Sequence, residues 1–394
     1  MKYNISINLL LVLAVSININ GQSNIETVLA SVEMNNPLLA ADRQFWEVQK
    51  LTYKTGLTLP NPTVQFQYLI GSPVAAGDQI DLFVVQPFDF PTTYKIRREL
   101  SEVQSALSTS SIAERRVEVL FEAKSVCLEI TYRNKLKAQY DGRITALEKL
   151  RTDFQVKLDK GEGNILDVNK TKLQLLEINQ LQQENAIELQ HLQTHLMELN
   201  GGKSLVFADS IYQKLTVIAT FEEVEKAFEA TDPARQSLEQ EKRIADKQLE
   251  LSKTWRLPKF EAGYHYQGIL GQRFNGIHAG FTLPIWEQKN RVQQQQAQVV
   301  FADLQMKSHL NKHFFEIKEL YERQASLKKS MEEFQTAFSS ASNTALLEKA
   351  LQFGEISTIE YFLEMSFYQN AVLHFLKTEW MYHSVVAELM RYML

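Results

Sequence analysis

The sequence predicts a mostly α protein with a small β part, written twice in one chain. Three observations carry that expectation. Four landmarks recur in the same order at nearly one offset, and the apolar period changes from helical to alternating at corresponding places in both halves. Two helical runs without internal proline are also too long for a globular core to enclose. The balance of the 394 residues agrees with this, since 44% are hydrophobic and 23% charged with only 15 Gly and 9 Pro, which favours long helices over disorder.

The landmarks come first because a missed repeat misplaces every later motif. Asn36-Pro37-Leu38-Leu39 is echoed by Asp232-Pro233-Ala234-Arg235, and Leu59-Pro60 by Leu257-Pro258. Gln86-Pro87-Phe88 is matched by Leu283-Pro284-Ile285, and Lys160-Gly161-Glu162 by Phe353-Gly354-Glu355. Single dipeptides coincide by chance, but four in one order at nearly one spacing indicate duplication. The expected organisation is a leader over 1–21, a first repeat over 22–200, a connector over 201–230 and a second repeat over 231–394. In the leader, Lys2 precedes an apolar run from Ile5 to Val15, too short for a spanning helix and suited to a secretory signal cleaved near Gly21. Beyond it no stretch approaches the roughly 20 apolar residues of a membrane helix, so any membrane crossing must use strands. The single cysteine, Cys127, excludes an intramolecular disulfide and a thiolate metal centre.

Each half opens with a helical period, over 25–57 and 231–255. Two alternating segments follow in each, over 64–70 and 80–84 and then over 260–266 and 277–283, with turn-rich joins over 71–78 and 268–276. Long helices are expected next, over 94–158 and 287–352, each on the order of 100 Å at about 1.5 Å per residue. Gly-bearing tips reverse the chain into return helices over 166–199 and 357–394, whose steps of three and four, such as Leu189, Leu192, Leu196 and Leu199, form the narrow seam of a coiled coil. Gly201-Gly202 ends the first half, and 203–220 reads as a mixed connector packed around the shaft. The alternating segments put Val, Ile, Leu, Phe or Tyr on one face and mostly Gln, Glu, Asp, His, Thr or Gly on the other, at close to the 9–11 residues or so of a tilted membrane strand. Four strands do not close a barrel, so strands in lipid require several chains to share one. The same alternation also marks any half-buried sheet, which leaves soluble hairpins as the alternative.

These residues together resemble the TolC-like outer-membrane efflux family, in its branch serving heavy-metal and multidrug pumps of the RND type. The resemblance rests on the Asn36-Pro37 opening, the Gly56-Leu57-Thr58-Leu59-Pro60-Asn61-Pro62 entry to the first strand and Gln86-Pro87-Phe88-Asp89-Phe90-Pro91 after the second. Arg256-Leu257-Pro258, Leu283-Pro284-Ile285 and the two Gly-Glu tips extend it over nearly the whole chain beyond the leader. It implies a homotrimer with a shared twelve-stranded β-barrel in outer-membrane lipid, an α-helical coiled-coil barrel in the periplasm, and a lower end opened by a periplasmic adaptor and an inner-membrane pump. By position, the tips Lys160, Gly161, Glu162 and Gly163, and Phe353, Gly354 and Glu355, would contact the adaptor. Asp167 and Glu360, each six residues past the matching glycine, would form a periplasmic gate with Glu364, which follows Glu360 by four residues where some members have three. Two neighbouring functions stay open: a duct for protein secretion with the same tunnel, and a periplasmic coiled-coil scaffold with no pore.

Other chemistries find little support. A net charge of −5 offers no footprint for nucleic acid. His191 with His195 and His309 with His313 have helical i, i+4 spacing, but neither pair has a zinc-hydrolase Glu or an evident third ligand in the sequence, so no metal and no cofactor are expected. No nucleophile elbow and no phosphate-binding glycine loop points to an enzyme. Gln293-Gln294-Gln295-Gln296 reads as a solvated helix face.

Overall fold

Proline starts a helix well because its missing N–H is not needed in the first turn, and it pushes the residue before it out of the helical region. Both effects divide the start of this chain in the computed structural model, which describes residues 24–214, 220–286, 289–341 and 344–394. The expected leader lies outside these residues. Helix α1 (Ile25–Asn35) ends at an extended Asn36, whose side chain accepts from the Leu39 N–H at 3.0 Å and caps α2 (Pro37–Tyr53). The one helix expected over 25–57 is thus two. Strands β1 (Thr63–Leu69) and β2 (Gln79–Phe88) follow, joined by a loop with one 3₁₀ turn, and β1 is short of the expected membrane length at 7 residues. Pro91 then opens α3 (Pro91–Asp159), 69 unbroken residues and so about 100 Å long. The return helix is α4 (Ile165–Leu199).

The second half repeats this order with four departures from expectation. Helix α5 (Phe221–Thr231) lies where the connector was expected, because Thr220 and Glu223 form a reciprocal capping box. Asp232 is extended and caps α6 (Pro233–Thr254) through the Ala234 and Arg235 N–H groups. Strands β3 (Lys259–Ile269) and β4 (Gln272–Thr282) are longer than expected and meet in a two-residue turn, not the long join over 268–276. Leu270 and Gly271 both have positive φ, at 47° and 78°, the handedness that matches strand twist in a tight hairpin. Finally, α7 (Arg291–Ala341) begins after Asn290 instead of near residue 287, since Asn290 sits at φ 67° and interrupts the helical path. Helix α8 (Thr344–Phe353) continues toward the second tip, and α9 (Thr358–Leu389) returns and ends in a 3₁₀ turn over Arg391–Met393, short of the helix expected to 394.

The four strands form one antiparallel sheet in the order β1-β2-β3-β4, so the hairpins of the two halves join through β2 and β3. Within the chain, β1 and β4 each pair on one side only. Below the sheet α3 packs on α2, α4, α6 and α9, while α7 packs on α6 and α9. One buried cluster joins Val28, Val32, Ile130, Leu196 and Phe207 around the middle of α3, and a second joins Phe154, Val168, Ile178 and Phe362 toward the tips. Among the described residues no helix is long and apolar enough to cross a membrane.

Candidate functional site

The register sorts the sheet into two faces. Val64, Phe66 and Tyr68 pair with Val84, Leu82 and Ile80, which continue to Tyr264 and Tyr266 on β3 and to Ile277 on β4. Phe66 is 66% exposed and Ile277 92%, so nothing among the described residues covers this apolar face. The opposite face is polar and internally bonded. Asp81, whose side chain is only 5% exposed, accepts from Gln79 at 2.7 Å and meets His265 Nε2 at 3.0 Å. Phe83 stacks on the same His265 ring, and Glu261 meets His278 Nε2 at 2.9 Å. A sheet with one apolar and one hydrogen-bonded polar face fits between lipid and water.

At the far end of the shaft the two tips are built alike. Gly161 donates to Leu158 O and Glu162 to Lys157 O, both at 2.9 Å, and Gly354 and Glu355 repeat the pattern on Leu351 and Ala350. Both glycines hold φ near +75°, which a side chain disfavours by about 1–2 kcal/mol. A Cβ on Gly163 would lie 2.7 Å from Leu158 N, so the chain passes too close to the helix end for any other residue. Lys157, Lys160 and Glu162 of the first tip face Glu348, Leu351 and Tyr361 of the second across a cleft of about 420 Å³. Phe353 stands 78% exposed beside it, a large apolar contact at the extreme end of the molecule.

The three acids past the tips have different surroundings. Glu360 is the third residue of a capping box: its carboxylate accepts from Ser357 N–H at 2.8 Å, and its own N–H donates to Ser357 Oγ at 3.2 Å. Those bonds to Ser357 hold the Glu360 carboxyl below the usual glutamate range. Asp167 lies in the first turn of α4, half-buried, and Glu364 is exposed one turn after Glu360. None of the three forms an ion pair among the described residues.

A cluster absent from the sequence reading appears near the middle of the shaft. Asp232 Oδ2 lies 2.9 Å from His309 Nε2, and the His309 and His313 rings are 4.3 Å apart. Burial, followed by the neighbouring His309, pushes His313 below the usual imidazole range. The sequence placed His309 and His313 on one helix face but gave no sign that the Asp of the second Asn/Asp-Pro landmark would fold against them. The other pair has no such acid pocket: His195 meets Glu122 and Glu198 at the surface, and His191 is exposed.

No protein-family model matches the sequence, and neither does any curated protein. Solved structures do match in shape. The CmeC outer membrane channel of Campylobacter jejuni overlays 93% of this chain and 85% of its own at 13% identity with a TM-score of 0.76. VceC, an outer membrane protein of Vibrio cholerae, covers 93% of this chain and 95% of its own at 11% identity and 0.77. The open state of the MtrE outer membrane channel of Neisseria gonorrhoeae covers 93% and 88% at 10% identity and 0.61. At these identities the likeness establishes architecture, and the chain has the TolC-like fold of these outer-membrane channels.

Proposed function

We propose that the chain is a member of the TolC-like outer-membrane efflux family and one subunit of a homotrimeric exit duct. Three copies pool four strands each into a twelve-stranded barrel, and their helices enclose a periplasmic tunnel. The observation that carries this reading is a sheet with an uncovered apolar face, a hydrogen-bonded polar face and two unpaired edges, mounted on helices about 100 Å long. Backbone groups left open in lipid cost several kcal/mol each, which identical neighbours relieve by continuing the sheet. The duct is passive: energy comes from an inner-membrane RND-type pump reached through a periplasmic adaptor, and this chain supplies a path and a gate.

The tip residues Lys160, Gly161, Glu162, Gly163, Phe353, Gly354 and Glu355 are assigned to adaptor contact, supported by the cleft between the tips and the exposed Phe353 ring. Asp167, Glu360 and Glu364 are assigned to the gate, where a threefold ring of carboxylates without cationic partners attracts cations. Metal ions or small toxic compounds are the proposed cargo, since a wide aqueous tunnel imposes little chemistry on what passes. The test is bilayer conductance of the purified trimer, comparing the native chain with Asp167→Asn combined with Glu360→Gln. The double variant should keep its trimer and lose cation preference or gain resting leak. Unchanged conductance and selectivity would remove the gate, and a freely soluble dimer in place of a detergent-requiring trimer would remove the duct.

A further inference from the structure

Asp232 is 77 residues from His309 in sequence, yet Asp232, His309 and His313 each offer an atom able to bind a metal, and these atoms lie within 4.8 Å of one another. Two elements bring them there. The extended residue before Pro233 turns the Asp232 side chain across the start of α6, and the i, i+4 spacing sets both imidazoles on one face of α7. The site is largely buried: the Asp232 side chain is fully buried, and those of His309 and His313 are 18% and 11% exposed.

We propose that Asp232, His309 and His313 bind a zinc-like divalent transition-metal ion that resides in the protein and ties α7 to the junction of α5 and α6. Two imidazole nitrogens and one carboxylate oxygen form a donor set that suits zinc and its neighbours and is poor for magnesium or calcium, which demand oxygen ligands. Supporting groups are also in place. Glu316 stands 3.4 Å from His313 Nδ1, the kind of outer carboxylate that fixes a ligating ring. The Phe228 ring lies 4.5 Å from that of His313 and Tyr392 6.2 Å, walling off the site. A cavity of about 210 Å³, lined by Glu114, Asp232, His313 and Tyr392, leaves room for a fourth ligand.

The competing explanation is an Asp–His hydrogen-bonded network that needs no ion. Equilibrium dialysis of the chelator-stripped, detergent-purified full chain against zinc, with magnesium in parallel, separates the two. The expected result is one zinc per chain and no stoichiometric magnesium. His313→Gln and Asp232→Asn should each weaken zinc binding by at least the roughly 10–100-fold that loss of a merely supporting group causes. Asn is a good helix cap, so Asp232→Asn retains the α6 start. A readout on the unmodified chain guards against misfolded variants: zinc should slow hydrogen exchange at the imidazole C2 of His309 and His313 and leave His191 unchanged. No stoichiometric zinc, binding as tight in both variants as in the native chain, or exchange at His309 and His313 indifferent to zinc would each overturn the proposal.

Discussion

Phe66 and Gln65 are neighbours on β1 that point to opposite faces, and arginine at each position separates a membrane sheet from a soluble one. Phe66 is the central residue of the seven in its strand and pairs with Leu82 on the apolar face, where it is 66% exposed. Gln65 pairs with Phe83 on the face that carries Asp81 and His265. If the apolar face meets lipid, Phe66→Arg places a guanidinium near the bilayer midplane at a cost of about 2–4 kcal/mol. That is roughly a 30- to 700-fold loss in the folded-to-unfolded ratio. Gln65→Arg faces water in the lumen and should stay within about 0.5 kcal/mol of the parent. Urea unfolding from lipid vesicles, followed by intrinsic fluorescence, gives both values in one experiment. On a soluble hairpin both positions are exposed, so arginine at either is nearly neutral. Equal midpoints for the two variants would therefore refute the assignment of faces and the duct that depends on it.

Three further outcomes are expected. Burial pushes the Cys127 thiol up to about 12, so thiolate-directed reagents at neutral pH should label it only after unfolding, and rapid labelling of the native protein would contradict its place in the core. Leu196 has no exposed surface in the cluster around the middle of α3, and Leu196→Ala should destabilise by about 2–5 kcal/mol, read as a lowered urea midpoint. Hydrogen bonds from Lys242 and then Lys307 hold Asp303 down from 3.8 to about 2. Its stabilising contribution is thus complete above its unfolded value and is lost as pH falls through the folded one. Asp303→Asn should flatten that part of the acid limb in thermal melts and leave the rest unchanged.

The periods and punctuation of the sequence revealed most of the fold because its elements satisfy local rules. Long runs without proline, alternating strand segments and glycines at both tips act on neighbours in the chain. Where expectation failed, local signals competed. Pro37 overrode a continuous helical period, and the Thr220–Glu223 box went unrecognised inside a polar connector. The Leu270-Gly271 turn was hidden because leucine is a rare occupant of positive φ, so Gly268 and Gly276 drew the loop outward. The Asp232–His309–His313 cluster could not be read at all. Its members meet through the packing of α6 on α7, and a contact across helices leaves no period in the sequence.

The helices and the sheet make the same demand for neighbours, and that agreement narrows the assembly. Leu173 and Leu176 on α4, Leu304 and Phe315 on α7, and Phe367 on α9 are each more than half exposed in the single chain. Large apolar side chains repeated along a shaft of this length need other helices to cover them. A coiled-coil dimer would meet that need but leave strand edges open. Pairing β1 with β1 by a twofold axis covers one edge and exposes β4, and pairing β4 with β4 does the reverse. Joining β4 of one copy to β1 of the next is a heterologous contact, which repeats until it closes as a ring. Such a ring covers every edge and sets each helical shaft against two others by a single rotation. In the proposed duct, the rotation that closes the barrel would also build the tunnel beneath it.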